Sequence, residues 1–220
     1  MKTAIPWLEH VPSLGTLDLR DVQQISRELL DRLAADRTLL TQLVDEIPDH
    51  PERLANSRVT LLLNRLSLYQ AADRGFEIRM NMNPRLDNQL VPHDHCYTFS
   101  TRILTGGYVH VVRRRTDSGE GPFTRDDLAP GIVTVERPGS AYTLGHPMVH
   151  QAVMVPDTVT LFVRGPRRKP FSNSVAGMMP ARDSWPVAAE PGDEPSESRP
   201  ATLAEYRQMR SYLARHYLID

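Results

Sequence analysis

Hydrophobic and polar positions follow a helical period near the start of the chain. Between about Asp18 and Ile47, leucine, valine and isoleucine recur at three- and four-residue spacing with charged residues between them. Such spacing places the apolar side chains on one face of a helix, and the segment is long enough for two helices. We expect Thr16 or Asp18 to cap the first helix and Pro48 to end the second.

After Pro51 the helical period gives way to short apolar runs. Residues 76–83 alternate strictly, with Phe76, Ile78, Met80 and Met82 on one face, which predicts a strand. Further strands are predicted at 96–104, 107–113, 131–136, 151–155 and 158–164, separated by glycine and proline turns. Because no helical pattern is interleaved with these runs, we predict a mainly β barrel or sandwich rather than an α/β sheet.

The C-terminal part of the chain has a different composition. Residues 180–200 are rich in proline, glutamate and serine, which predicts an extended or mobile linker. Thr202 and Glu205 then have the spacing of a capping box, so a last helix is expected there, docked on its own domain or on a partner subunit. The predicted organisation is a helical region over 1–57, a β domain over 58–170, and a linker with a docking helix over 171–220.

Composition narrows the classes of function and the compartment. The 220-residue chain is 40% hydrophobic, and its 26 basic and 27 acidic residues nearly cancel to a net charge of −1, which argues against a nucleic-acid partner. No apolar run reaches the roughly 20 residues of a membrane span, and the N-terminus lacks the apolar core of a signal peptide. With Cys96 as the single cysteine, a reducing compartment and hence a cytoplasmic protein are expected.

The segment Pro92-His93-Asp94-His95 carries the first candidate chemistry. If the segment is a strand, two histidines two residues apart point to the same face. Two imidazoles that converge on one point are a usual beginning of a transition-metal site. The pair alone is also compatible with a chance arrangement on the surface, so a third ligand and a scaffold are needed.

Two further segments make the sequence resemble the cupin superfamily. The histidine pair is followed by a strand and the glycine turn Thr105-Gly106-Gly107, and residues 136–153 contain a Pro-Gly turn and then Pro147-Met148-Val149-His150. Cupins share an H-x-H motif, a glycine turn, and a lone histidine on a later strand, and the resemblance spans roughly residues 60 to 170. It implies a mainly β cupin fold, a double-stranded β-helix or jelly-roll barrel, with added helices at both termini.

The resemblance also implies a metal site of three histidines. Two residues are candidates for the third ligand beside His93 and His95. His150 is favoured because it follows the family's proline-containing turn directly; His146, within the turn, is the alternative, and is otherwise expected at the rim or behind the ligands. The family's usual glutamate falls on Phe99, or on Ser100 if the register slips by one. Cupins without this glutamate include the thiol dioxygenases, so the resemblance implies an iron-dependent dioxygenase of the cysteine dioxygenase-like type.

The expected cofactor is Fe(II), with Mn, Ni or Zn as other possibilities, and the expected partners are a small-molecule substrate, dioxygen and a second copy in a homodimer. Arg79, Phe99 and Ile103 are the candidate substrate-binding residues, with Met80 as further pocket lining. Arg65, Arg102 and Arg164 are weaker candidates for holding a substrate carboxylate. The competing functions are a non-redox metal cupin, such as an isomerase, epimerase or lyase, and a metal-binding cupin without turnover.

The remaining candidates have structural interpretations. Cys96 is expected to point away from the metal as a packed thiol, because side chains alternate along a strand. Arg113, Arg114 and Arg115 are interpreted as a solvated run of charge at a strand end. Four histidines lack a partner at a suitable spacing and are interpreted as surface or packing residues: His10, His50, His110 and His216.

Overall fold

The computed structural model describes residues 5–60, 63–84, 87–119, 121–175 and 198–220, with the backbone alone for 87–89. Within these residues four α-helices occur, named α1 to α4 in chain order: Leu19–Ala35, Arg37–Asp45, Pro51–Asn56 and Leu203–Arg215. None of them combines the length and hydropathy that a membrane span requires.

The strands that the structure describes are named β1 to β11: Arg58–Val59, Asn64–Ala71, Phe76–Asn83, Asp87–His93, Tyr97–Thr105, Tyr108–Arg114, Ile132–Glu136, Ala141–Leu144, Met148–Met154, Thr158–Arg167 and Arg199–Pro200. They form a seven-stranded sheet in the order β11-β1-β2-β3-β10-β5-β8 and a four-stranded sheet in the order β4-β9-β6-β7. All of the strand pairs that build the two sheets are antiparallel.

The two sheets face each other across small apolar clusters. Phe99 on β5 packs with Leu144 on β8 and with Val112 from the opposite sheet. Ile103 on β5 likewise meets Tyr108 and Ala152 of the four-stranded sheet. The structure therefore confirms that the fold is mainly β, with two antiparallel sheets that face each other and helices at the N- and C-terminal ends.

The largest apolar core lies on the other side of the seven-stranded sheet, beneath the helices. Ile78, Met80 and Met82 of β3 are fully buried there together with leucines of α1 and α2. The alternating pattern correctly predicted that these side chains share a face. The expectation that Met80 lines the pocket is wrong, because this face packs against the helices, and the polar residues between them point into the barrel.

The helix termini follow the predicted capping chemistry. The Asp18 side chain accepts a hydrogen bond from the Asp21 N–H at the start of α1, and Thr202 and Glu205 form a complete capping box at the start of α4. Helix α4 docks on its own chain, where the Tyr206 hydroxyl donates to the Val44 carbonyl at 3.0 Å. The sequence pattern missed α3, a six-residue helix that begins at Pro51.

Most of the predicted linker over 180–200 lies outside the described residues. Its last two residues, Arg199–Pro200, form β11 and pair with β1, which adds a strand to the edge of the larger sheet. The backbone N–H of Ala201 then donates to the Ser57 carbonyl at 2.7 Å. The chain is thus held against the barrel immediately before α4 begins.

Candidate metal centre

The first two histidines come from the end of β4 and the connection that follows it. His93 is the last residue of β4, whereas His95 lies between β4 and β5. The expectation that one strand carries both side chains is therefore wrong for His95. The rings nevertheless approach each other, with centroids 5.1 Å apart in an edge-to-face arrangement.

Asp94, between the two histidines, anchors this connection from the other side. Its side chain is fully buried and forms ion pairs with Lys169 and, at 3.6 Å, with the Arg115 Nη1. The Asn173 N–H donates to Asp94 Oδ1 at 2.6 Å, and the Asp94 N–H donates to the Asn173 carbonyl at 2.9 Å. Hydrogen bonds and ion pairs fix both the backbone and the carboxylate of Asp94, so the backbone positions of the flanking histidines are fixed as well.

The involvement of Arg115 corrects a sequence interpretation. Arg115 was expected to be solvated, but only 5% of it is exposed, and it also holds Asp117. These contacts keep its guanidinium charged, and the hydrogen bond to Asp117 raises its pKa above the usual value. The run of three arginines gives no sign of which member turns inward, because that depends on the loop geometry after β6.

His150 completes the group from the neighbouring strand. In the β4–β9 pair His150 lies directly opposite His93. The ligand atoms of His93, His95 and His150 all lie within 4.8 Å of one another, and the Nε2 atoms of His95 and His150 are 2.8 Å apart. Small side-chain rotations would bring three nitrogens at this spacing to the metal–nitrogen distance of about 2.0–2.1 Å that imidazole ligands adopt.

Burial keeps these imidazoles neutral. Desolvation lowers the pKa of His93 below its usual value, and it lowers the pKa values of His95 and His150 far below theirs, reinforced by the positive charge that neighbouring histidines would carry. A neutral imidazole has a free lone pair on one nitrogen, which is the form that binds a metal. The donor set therefore fits a transition metal: three convergent neutral nitrogens, one on a buried side chain and two on half-buried ones.

Two of the three rings have their second nitrogen occupied by a protein partner. His93 Nδ1 lies 2.9 Å from the Val91 carbonyl, which can only accept, so this Nδ1 carries the proton and Nε2 carries the lone pair. His150 Nδ1 lies 2.9 Å from Nε2 of His110. His110, which the sequence suggested to be a surface or packing residue, is thus a buried neighbour of the site.

Phe99 occupies the wall beside the triad. Its ring centroid is 4.9 Å from that of His95 and 5.8 Å from that of His150, and it stacks on Phe162 at 4.8 Å. In the part of the chain that the structure describes, no carboxylate belongs to the three-histidine group. An aromatic ring thus lies next to the imidazoles at the position where the resemblance to cupins predicted a glutamate.

No protein-family model and no curated protein matches the chain. Several solved structures are similar to about half of it. They include KdgF from Halomonas sp. (19% identity, covering 50% of this chain and 85% of that chain, TM-score 0.37), an RmlC-like cupin protein from Desulfovibrio desulfuricans (14%, 48% and 83%, 0.33) and an oxalate oxidase in complex with glycolate (15%, 53% and 54%, 0.35).

The candidate substrate residues lie at different distances from the triad. Arg79 points into the barrel, is buried, and forms an ion pair with Glu77 at 2.6 Å. Burial alone would raise the pKa of Glu77, but its contacts with Arg79, Arg164 and Ser67 hold the pKa below its usual value. The Arg164 guanidinium also lies over the Tyr97 ring at 4.5 Å, and Tyr97 in turn contacts His95.

Other candidates are placed away from the three imidazoles. Ile103 lies between the sheets beside Tyr108 and Ala152, further along β5 than Phe99. His146 is outside the three-histidine group and borders a cleft of about 420 Å³ between the barrel and the start of α1. Cys96 is fully buried in the same cluster as Phe99, as expected of a packed thiol. Arg102 faces outward and pairs with Asp31 of α1.

Proposed function

We propose that the chain is a metal-dependent cupin enzyme and that His93, His95 and His150 hold Fe(II) for the oxidation of a small metabolite. The proposed reaction is of the dioxygenase type, with a small thiol or an amino acid as substrate. One observation carries the proposal: three imidazoles converge on one position, His150 buried and His93 and His95 half-buried, and an aromatic ring, not a carboxylate, stands beside them.

Three neutral histidine ligands support a metal ion that keeps its full positive charge. Three neutral ligands would leave the full 2+ charge on an ion, and an iron bound in this way would supply Lewis acidity and one-electron redox chemistry. The protein contributes the orientation of the rings. The Val91 carbonyl directs His93 Nε2 inward, and the Asp94 ion pairs hold the connection that carries His95.

The surroundings of the triad support a small, anionic substrate. Phe99 and Phe162 form a stacked apolar wall that excludes bulk water from one side. Arg164 and Arg79 bring positive charge into the same barrel interior, and Arg164 lies one aromatic ring away from His95. We propose that Arg79, Phe99 and Ile103 contact the substrate, with the guanidinium attracting a carboxylate group and the apolar side chains enclosing the rest.

Oxygen uptake after anaerobic loading with Fe(II) tests the proposal. We expect the protein to consume oxygen with one class among small thiols and amino acids, and we expect His95→Ala to lose both bound iron and uptake. His216→Ala, a change at the end of α4, is the matched control and should keep both the bound iron and the oxygen uptake of the wild type.

Two outcomes and one further measurement distinguish the candidate functions. Equal iron content and equal uptake in the wild type and His95→Ala would contradict the proposed site. Bound metal without uptake for any substrate favours the non-redox alternative, an isomerase, epimerase or lyase that uses Mn, Ni or Zn at the same histidines. Metal analysis of protein purified without chelators identifies which ion the site selects.

A further inference from the structure

A line of three side chains, two of them buried and one half-buried, leads from the triad to the edge of the smaller sheet. His150 Nδ1 lies 2.9 Å from His110 Nε2, and His110 Nδ1 lies 3.8 Å from Glu136 Oε1. His150 and His110 are 6% and 1% exposed, so neither ring can exchange its protein partner for bulk water. Glu136 is held in turn by the Thr134 hydroxyl, which donates to Oε1 at 2.6 Å.

The protons along this line can be assigned from the direction of the metal-facing nitrogen. His150 Nε2 points at His95 Nε2, so binding a metal there requires the lone pair on Nε2 and the proton on Nδ1. The His150 Nδ1–H then needs an acceptor, which is His110 Nε2. A neutral His110 that accepts at Nε2 carries its own proton on Nδ1, and this N–H faces the Glu136 carboxylate.

The surroundings of His110 hold its ring in the plane that this arrangement needs. The Tyr142 ring lies against it with centroids 4.6 Å apart, and the Tyr108 ring meets it edge to face at 5.7 Å. The two tyrosine hydroxyls form a hydrogen bond with each other at 2.5 Å, which fixes both rings. His110 is therefore held by packing from two aromatic residues, and its two nitrogens face His150 and Glu136.

We propose that His110 and Glu136 are positioning residues for the metal ligand His150: they fix its tautomer and ring orientation through the sequence Glu136, His110 Nδ1–H, His110 Nε2, His150 Nδ1–H. The inference rests on the proposed function only in that His150 must be a metal ligand. It assigns a role to two residues that touch neither the metal nor the substrate. Outer partners of this kind orient a ligating histidine and raise its basicity.

Titration of the metal-free protein with Co²⁺, followed by its visible absorption, tests this assignment without reference to activity. We expect His110→Leu to weaken Co²⁺ binding by about 10- to 100-fold and to change the absorption spectrum, because His150 loses its acceptor. His110→Gln should recover most of the affinity, since an amide oxygen can accept at about the position of Nε2. Glu136→Leu should weaken binding less than His110→Leu does, because the Glu136 contact is the longer one at 3.8 Å.

The controls separate this inference from the proposed metal site. His216→Leu is the same substitution outside the line and should bind Co²⁺ as the wild type does, whereas His150→Ala should abolish binding. Wild-type affinity and an unchanged spectrum in His110→Leu, or a loss that His110→Gln does not recover, would overturn the positioning role alone. An absence of Co²⁺ binding to the wild type would contradict the metal site and this inference together.

If His110→Leu does not fold, the comparison of His110→Gln with Glu136→Leu tests the role instead. Co²⁺ affinity near the wild type in His110→Gln and reduced affinity in Glu136→Leu would support the role. Reduced affinity in His110→Gln and affinity near the wild type in Glu136→Leu would overturn it.

Discussion

The two faces of the segment His93-Asp94-His95 use buried polar groups in opposite ways. On one face the histidines are neutral and lie beside aromatic rings, and the Nε2 atom of His95 faces that of His150. On the other face Asp94 is charged and is surrounded by Lys169, Arg115 and the Asn173 N–H. Buried charges are tolerated where they are paired and hydrogen-bonded, so the aspartate face is complete in itself.

The difference separates the contribution of the aspartate face to folding stability from the metal binding that we propose for the histidine face. The aspartate face stabilises the folded chain whether or not a metal is present, because all of its partners belong to the protein. The histidine face offers imidazole nitrogen lone pairs to a metal ion, and we expect it to stabilise the fold only when an ion is bound there. Substitutions on each face, measured with and without metal, can therefore sharpen or break the comparison.

The largest effect is expected from placing a charge on the neutral face. Phe99→Glu removes a ring that stacks on Phe162 and sets a carboxylate among apolar and imidazole groups, so we expect the metal-free protein to lose about 4 kcal/mol of unfolding free energy. Saturating Co²⁺ should restore more stability to this variant than to the wild type, because the carboxylate becomes a further ligand. Urea unfolding with and without Co²⁺ measures both quantities.

Phe99→Leu is the matched control for packing and should cost about 1 kcal/mol, with no difference from the wild type in its response to Co²⁺. If Phe99→Glu is as stable as Phe99→Leu without metal, the surroundings of residue 99 tolerate a buried charge and are not apolar. An equal response to Co²⁺ in both variants would show that residue 99 is out of reach of the metal.

A smaller loss is expected when the charged face loses its charge. Asp94→Asn leaves the Lys169 and Arg115 cations without their buried counter-ion, and we expect about 3 kcal/mol of destabilisation in urea, the same with and without metal. Asp117→Asn removes a more exposed partner of Arg115, whose pairing is screened by solvent, and should cost clearly less stability than Asp94→Asn. Equal losses in the two variants would contradict the distinction between a buried anchor and a surface pair.

The third effect appears only when metal is present. At a free metal concentration about 100 times its dissociation constant, a site that binds only the folded chain adds about 2.7 kcal/mol of stability. We expect the wild type to gain this stabilisation and His150→Gln to gain none, while the two proteins unfold similarly without metal. Thermal unfolding across a metal titration makes the comparison, and a large loss of stability in metal-free His150→Gln would show that the histidines are structural.

Local patterns predicted most elements of the fold, such as the alternation of 76–83 and the capping residues of α1 and α4. The grouping of His93 with His150 was expected from the resemblance to cupins, not from local spacing. The roles of His110 and Arg115 do not follow from such patterns, because their partners lie on other strands and loops. Strand pairing decides them, and a single sequence does not state which strands are neighbours.

The pattern also could not decide which face of β3 is the inner one. Alternation separates Met80 from Arg79 but does not say which of them meets the helices, since both sides of this strand are buried. An apolar face usually indicates the barrel interior when only one side is covered. Here α1 and α2 cover the outside, so the polar face with Arg79 and Glu77 is the one that points inward.

The smallest effect expected is a dependence of stability on pH that belongs to the histidine face. Burial lowers the pKa of His110 to about 4 and lowers those of His93, His95 and His150 below the usual value near 6.5. Between the folded and unfolded pKa values the unfolded chain binds more protons, so the stability of the metal-free protein is fully present above about pH 6.5 and is lost as the pH falls toward 4. Urea midpoints measured between pH 7 and pH 4 should show this slope.

His150→Gln removes one of the titrating groups and should make the slope shallower, and saturating metal should oppose the loss because protons and the ion compete for the same nitrogens. An identical slope in the wild type and in His150→Gln would mean that His150 is as easily protonated in the folded chain as in the unfolded one. That result would remove the contrast between the two faces, since a histidine that is readily charged when folded is not held neutral by its surroundings.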